Sequence, residues 1–527
     1  MKTTTKRRLN LSLLASAIAA LLSSGAAMAK NDTPHDTYMN NCASCHGADL
    51  GGYLAPALNA NTLKGRSPTA LRTIVMAGSF DTLMPPFYGK LSDDEIRGVL
   101  KYLQDTPKQA NPEWTIDDMK KSLKVYVKDE STLPAKPTFQ IDDKFENLIG
   151  VAARGKYGRG EGSKAIFINS ATHQKVGEVE TGTAAHIIDF NPANPRWAYV
   201  KTDTAEIFKV DLYSMKAVRS IKTGYNGPGM GVSRDGKYIM AGSFVPHNAV
   251  ILDADTLEPL KTFELEGTDP DGKHVSSDSG MIIGTPYADI FAIALENAGQ
   301  VWVVDYKKEG FPVTRIENVG RHLHDAFLTH GGKKLMVASY DDSIVAAIDL
   351  EERKLIKKLE AGCVPHVGGG SAVKVDGRTL GFGTNFGDCD KMVVSVWDLD
   401  KMEVVKQVPV SGGTESPAAH ANAPYVAVDI ISKDRRARTV QLIDKKSLEV
   451  VKTLDVGGHA YFPEYSADGK FLYISAGYNG DEVVVYDSNS LQKVASVPME
   501  SPAGIFSRGR VKYMTRGLSP DEMEQGK

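Results

Sequence analysis

Within the run NCASCHG, Cys42, Cys45 and His46 stand at Cys-x-x-Cys-His spacing. Two thiols so placed can each form a thioether to a porphyrin vinyl group, and the adjoining imidazole then reaches the iron from one side. A redox disulfide or a zinc pair would use the same Cys-x-x-Cys. Neither calls for the histidine that follows, and the chain has only four cysteines and no second such pair. The segment therefore reads as the attachment site of one covalent heme c. Its sixth ligand should come from later in the same region, where TLMPPFYGKLSDDEI offers Met84 ahead of two prolines that stiffen the backbone. Met76, at helical spacing, reads as core, and His35 is the other rival.

A second set of residues able to do chemistry is spread along the rest of the chain, and a repeat organises it. Eight β-runs, AIFIN, EIFKVD, AVILD, VWVVD, IVAAID, VVSVWD, TVQLID and EVVVYD, end at Asn169, Asp211, Asp253, Asp305, Asp349, Asp398, Asp444 and Asp487. Neighbouring markers lie 42 to 52 residues apart, the length of a four-stranded blade, and eight such units arranged radially make a β-propeller. A sandwich or a β-helix would not impose so constant a period. His186, His274, His322, His324, His366, His420 and His459 each follow a marker by 15 to 22 residues. In a propeller, equivalent repeat positions lie on a circle, so histidines in common register predict a ring around the central mouth. Opposed imidazoles could hold a metal ion or ligate both faces of the iron in a large macrocycle. The carboxylates of such a ligand need cations, for which Arg154 and Lys201 are candidates.

The elements that must position these groups follow from length and patterning. The chain has 527 residues, 42% of them apolar and 24% charged, which suits a large globular unit with a small one. Residues 1–29 read as a signal peptide for export to the periplasm: Lys2, Lys6, Arg7 and Arg8 precede LSLLASAIAALL and the small-residue site Ala27-Met28-Ala29. No later segment is apolar enough to span a membrane. The formal net charge is -3, and removal of the leader's cations makes it more negative, which argues against nucleic acid as a partner. Residues 30–105 are predicted to form a small all-α cytochrome c domain. Its closing helix is announced by the capping box Ser92 to Glu95 and by Ile96, Val99, Leu100 and Leu103 at helical spacing. Residues 106–143 read as a linker packed between domains, with a short helix within IDDMKKSLKVYV, and residues 144–527 as the all-β eight-bladed propeller.

Taken together these segments resemble the cytochrome cd1 nitrite reductase family, in which a cytochrome c domain is joined to a heme d1-binding propeller. TGTAAHIIDF is similar to the segment carrying the family's proximal iron ligand, which implies that role for His186. VGRHLHDAF and CVPHVGGG resemble the two distal-pocket segments, implying His324 in the pocket and His366 as the distal ligand. Arg154 matches an arginine that contacts the macrocycle's carboxylates. KVYVKDESTLPA, NPRWAYVKTD, GSFVPHNAVILD, TPYADIFAIALENAGQVWVVDY and GGHAYFPEY look most like the dihydro-heme d1 dehydrogenase branch of the family.

That resemblance implies an oxidoreductase of heme d1 biosynthesis. It would oxidise a propionate of dihydro-heme d1 to the acrylate of heme d1, with electrons leaving through heme c to an external one-electron acceptor such as a c-type cytochrome. The nitrite reductase that uses heme d1 is then a further partner, and the chain is expected to act as a monomer. His459 is the expected base, because a near-neutral imidazole suits proton removal, with Tyr461 assisting. Nitrite reduction, with His324 and His366 as proton donors, and non-catalytic carriage of heme d1 remain competing readings. In an oxidising compartment Cys363 is expected to pair with Cys389, pinning the base of a loop that Gly368, Gly369 and Gly370 leave free to open.

Overall fold

The computed structural model describes residues 33–511 apart from 43–45, 47–49, 52–54, 65, 79–83, 85–86, 88–89, 107–112, 156–161, 183, 228, 386–389, 433–434 and 478–479. The signal-peptide expectation, Cys45 and Cys389 thus lie outside the described residues.

Among the described residues, three helices make up the N-terminal unit: α1 (Pro34–Asn41), α2 (Pro68–Ala77) and α3 (Asp93–Asp105), with α1 and α2 both packed on α3. Each begins at a hydroxyl cap. Thr33 and Ser92 form reciprocal capping boxes with Asp36 and Glu95, satisfying amide donors that the first helical turn leaves without partners. The apolar stripe of α3 is the expected one: Ile96, Val99, Leu100 and Leu103 are buried against Tyr38, Leu50, Leu63 and Leu71.

The segment expected as a linker is, where described, a strap packed on two neighbouring blades of the propeller. Helix α4 (Ile116–Ser122) buries Met119 among Ile207, Ile221 and Val250, and Trp114 Nε1 donates to the Lys222 carbonyl at 2.9 Å. Residues Lys124–Val125 then add a short strand to Lys216–Lys222. Glu130 closes the strap with ion pairs to Lys209 and Arg219.

Eight four-stranded antiparallel sheets follow, with the strap as a fifth strand on the first. Their inner strands are Ala185–Phe190, Met230–Val232, Ser279–Gly284, Leu323–Thr329, Pro365–Val375, Pro417–Ala418, His459–Tyr465 and Pro502–Ser507, here numbered blades 1 to 8 in that order. Each inner strand touches the next, and the eighth touches the first, so the ring is closed. Closure is made by strand exchange between the ends of the chain. Pro502–Ser507 pairs with Leu148–Ala153, and the sheet is completed by Lys164–Asn169 and Gln174–Glu180. Each blade is then flanked by a neighbour on both faces.

Every marker ends the third strand of its blade. An Asp there is favoured because its carboxylate accepts the amides of the following turn, as Asp253, Asp349, Asp398, Asp444 and Asp487 do. Four residues after a marker the chain takes positive φ, at His173, Met215, Leu257, Arg353, Met402, Leu448 and Leu491, and a register shift follows in the next strand pair. The period seen in the sequence is therefore the repeat of one hairpin geometry. Between blades the cores are apolar and tightly buried, as where Val301, Val303 and Ile316 meet Leu328, Val337 and Ile348.

Candidate functional site

Four of the seven histidines in common register stand at the starting ends of inner strands. His186, His324 and His366 are second in the strands of blades 1, 4 and 5, and His459 is first in that of blade 7. Blades 1 and 5 are four apart in a ring of eight, so His186 and His366 face each other across the axis. The ring is smaller than expected, however. His274 is exposed on the hairpin of Glu266–Thr268 and His274–Ser276, and His420 lies past the inner strand of blade 6, with Nε2 on the Ala467 carbonyl at 3.1 Å. His322 sits two residues before His324, half-exposed at the rim.

On the blade 1 side, His186 Nδ1 lies 2.7 Å from Asp203 Oδ1 and 2.8 Å from an Arg154 Nη2. One ring nitrogen cannot donate to the carboxylate and accept from the guanidinium together. The carboxylate oxygen is the nearer of the two and can only accept, so Nδ1 is assigned the proton and Nε2 keeps a lone pair for a metal, while the guanidinium acts on the Asp203 charge and not as a donor to the ring. Arg154, 3.8 Å from Asp203 Oδ2, offsets that acid's charge. The guanidinium expected for macrocycle carboxylates is thus buried against the histidine.

On the opposite side the histidine is spoken for at both nitrogens. His366 Nδ1 donates to the Glu415 carbonyl at 2.7 Å, and Nε2 lies 2.5 Å from Asp325 Oδ2. Burial alone would raise the Asp325 carboxyl, but the charges of His366 and His324 hold it well below the usual range. His324 Nδ1 is 3.3 Å from the other Asp325 oxygen, and its ring stacks on Tyr340 with centroids 4.9 Å apart. His324, Asp325 and His366 bring one ligand atom each to within 4.8 Å of one another. Beyond His324 lies a second acid, Glu296, with Oε1 3.8 Å from Nε2. Burial pushes this carboxyl up to about 8, against the weaker pull of His324. One imidazole therefore stands between an ionised and a protonated acid, an arrangement suited to moving protons.

The third part of the wall comes from blades 6 and 7. Tyr461, third in its strand, donates its hydroxyl to buried Glu415 Oε1 at 3.0 Å, and the His459 and Tyr461 rings lie edge to face at 6.4 Å. Burial raises the Asp429 carboxyl to about 6, although its oxygens accept the amides of Glu415, Ser416 and Phe462.

Two expectations need correction. Lys201 is not a rim cation: it is fully buried between blades, Nζ donates to the Gly229 and Gly242 carbonyls at 2.8 and 2.5 Å, and burial lowers it to about 7. Residues 365–375 are an inner strand with a register shift between His366 and Ser371, not an open loop. Gly368 is there because a Cβ would sit 2.6 Å from His366 Cε1 and 2.7 Å from Asp325 Oδ2. Cys363 is disulfide-bonded; Cys389, its expected partner, is outside the described residues.

In the helical unit, Cys42 is half-buried just past α1 and His46 is buried, with Nδ1 2.7 Å from the Pro56 carbonyl. A carbonyl only accepts, so Nδ1 is protonated and Nε2 is the nitrogen left for iron, the tautomer a heme c ligand needs. Met84 is half-buried, Met76 packs against the helical core as expected, and His35 is exposed.

Asp203, Glu296, Tyr340 and Glu415 were not singled out in the sequence. The first three share a position with Arg154: each directly follows the second strand of its blade, which by antiparallel pairing ends beside the start of the inner strand. A polar residue just past the second strand of a repeat was the available signal.

Comparisons with known proteins agree with this architecture. Residues 148–511 match the Cytochrome D1 heme domain family, and residues 29–103 match the family described as Cytochrome C oxidase, cbb3-type, subunit III. A dihydro-heme d1 dehydrogenase of Pseudomonas aeruginosa is 26% identical over 488 residues, 92% of this chain and 94% of that protein. A nitrite reductase of Stutzerimonas stutzeri is 26% identical over 383 residues, 68% of this chain and 66% of that one. Among solved structures, a dihydro-heme d1 dehydrogenase, NirN, in complex with DHE has a TM-score of 0.72 at 26% identity, covering 91% of this chain and 100% of that one. With a cytochrome c domain for a covalent heme c ahead of its eight blades, the chain belongs to the cytochrome D1 heme domain family.

Proposed function

We propose that this chain is a periplasmic dihydro-heme d1 dehydrogenase of heme d1 biosynthesis. The observation that carries the reading is the Tyr461 and Glu415 pair, joined through the Glu415 carbonyl to His366, which gives the distal wall a proton-accepting group as well as a ligand. The likeness to the dehydrogenase across both domains supports it, since the nitrite reductase match spans only about two thirds of either chain. Conversion of CH2–CH2 to CH=CH breaks two C–H bonds, so two protons and two electrons must leave. His459 and Tyr461 are the groups assigned to the protons, His186 and His366 would hold the iron, and Arg154 and Asp203 fix His186. His324, flanked by Asp325 and Glu296, carries protons away from the site. Cys42, Cys45, His46 and Met84 would hold heme c, which would supply a one-electron outlet to an external acceptor such as another c-type cytochrome. The product is destined for a nitrite reductase.

The test is to incubate the heme c-loaded protein with dihydro-heme d1 and a one-electron oxidant and to follow product mass. Loss of two hydrogens is expected. Unchanged mass together with steady nitrite turnover would overturn the reading in favour of nitrite reduction.

A further inference from the structure

We infer that Glu415 is a positioning residue that sets Tyr461 and His366 in register with each other, so that the tyrosine oxygen meets the substrate as an acceptor. The inference rests on the dehydrogenase reading. Glu415 is 2% exposed in the turn that leads into the inner strand of blade 6. A buried carboxylate is costly unless strong hydrogen bonds offset the loss of water, and an apolar side chain would pack there at lower cost. What the carboxylate does is take the Tyr461 hydroxyl proton in a 3.0 Å hydrogen bond. A phenol has one proton and two lone pairs. With the proton held by Glu415, the lone pairs are what Tyr461 presents elsewhere.

The main chain of the same residue reaches the other way. Its carbonyl accepts from His366 Nδ1 at 2.7 Å and from Thr384 Oγ1 at 2.6 Å, both on blade 5. Asp429 holds the bracket still: Oδ1 takes the amides of Glu415 and Ser416, each at 3.0 Å, and Oδ2 takes the amide of Phe462, next to Tyr461, at 3.1 Å. Side chain to blade 7 and carbonyl to blade 5, Glu415 spans the two strands whose side chains flank it. Because the link to His366 runs through the main chain, replacing the side chain separates the two functions.

The experiment measures turnover and the spectrum of bound macrocycle for Glu415→Ala, Glu415→Gln and Tyr461→Phe, alone and combined, in the heme c-loaded protein. Glu415→Ala should lower kcat about 100-fold, the scale of a misplaced proton-transfer group, with KM and the spectrum of the bound macrocycle unchanged. Glu415→Gln keeps an oxygen acceptor for the tyrosine and should recover turnover to within about tenfold of the parent. Adding Glu415→Ala to Tyr461→Phe should cost nothing more, since the two act as one unit. Turnover of Glu415→Ala close to the parent, a Gln variant no better than the Ala variant, or additive losses in the double variant would each overturn the inference. A parent protein that leaves dihydro-heme d1 unconverted would instead overturn the dehydrogenase reading.

Discussion

The two histidines that face each other across the mouth are the same residue type held in opposite conditions. His186 meets an acid and a guanidinium at Nδ1 only, and Nε2 is left with its lone pair. His366 donates from both nitrogens, to a carbonyl and to the Asp325 carboxylate, so no lone pair remains. A ligand arriving at blade 1 finds a nitrogen prepared for it. At blade 5 it must first displace Asp325 and release a proton. The pair of sites is therefore asymmetric before anything binds: one face orients, the other exchanges partners, and the exchange happens beside the groups assigned to proton removal.

The sharpest way to break this comparison is to remove the competing acid. Asp325→Asn should destabilise the ligand-free protein by about 3 kcal/mol, the low end for breaking a buried ion pair, because His366 can shed its proton instead of staying charged. Chemical denaturation measures this, and stopped-flow mixing with macrocycle should show faster distal ligation. A variant as stable as the parent and no faster to ligate would mean that the ion pair does not guard His366.

Titration separates the two acids beside His324. Asp325 has a depressed native value, so its contribution is complete above the unfolded carboxylate range and is lost as pH falls through that native value. Glu296 runs the other way. Held protonated up to about 8 while its unfolded form ionises near 4.5, it gives the native state the extra proton between those values, so stability falls as pH rises through that window. The parent should lose on the order of 2–4 kcal/mol from pH 5 to 8 through this group, and Glu296→Gln should flatten the slope. Equal slopes for parent and variant in urea unfolding would remove Glu296 from the account.

At the prepared site, Asp203→Asn should weaken macrocycle binding about 10–100-fold, the usual cost of losing the outer partner of a ligating histidine, with little change at the opposite pole. Spectral titration checks it, and equal effects of Asp203→Asn and Asp325→Asn on affinity would erase the asymmetry.

What could be read in advance of the fold was whatever local chemistry dictates. The markers were legible because an Asp that caps its own turn, followed four residues later by positive φ, is a hairpin geometry repeated in the chain. Helix α3 was legible because Ser92 and Glu95 cap it and its apolar stripe lies at helical spacing. Ring closure was not, since counting repeats cannot reveal that Pro502–Ser507 completes the sheet begun by Leu148–Ala153. His186, His324, His366 and His459 were found through their shared register, but that register also admitted His274 and His420, because loop lengths vary between blades. Lys201 misled because charge suggests a surface, whereas burial depends on what the next blade places around it. Asp203, Glu296 and Glu415 act through neighbours distant in sequence, and only pairing between strands brings them to the mouth.

Gly368 links that lesson to the comparison. A glycine beside two others suggested mobility, yet its place is set by close approach, with His366 and Asp325 atoms where a Cβ would stand. Gly368→Ala should therefore act on one pole alone, driving apart a pair that is 2.5 Å long and costing about 1–2 kcal/mol as overpacking does elsewhere. The sign on ligand binding should be opposite to that on stability: a His366 pushed away from Asp325 is closer to the condition of His186, so the macrocycle should gain distal ligation at lower concentration. If flexibility were the reason for glycine, alanine would stiffen the strand, slow ligation and leave the ion pair in place. Denaturation together with ligation rates distinguishes the two, because only steric separation of His366 from Asp325 lowers stability and speeds ligation in the same variant.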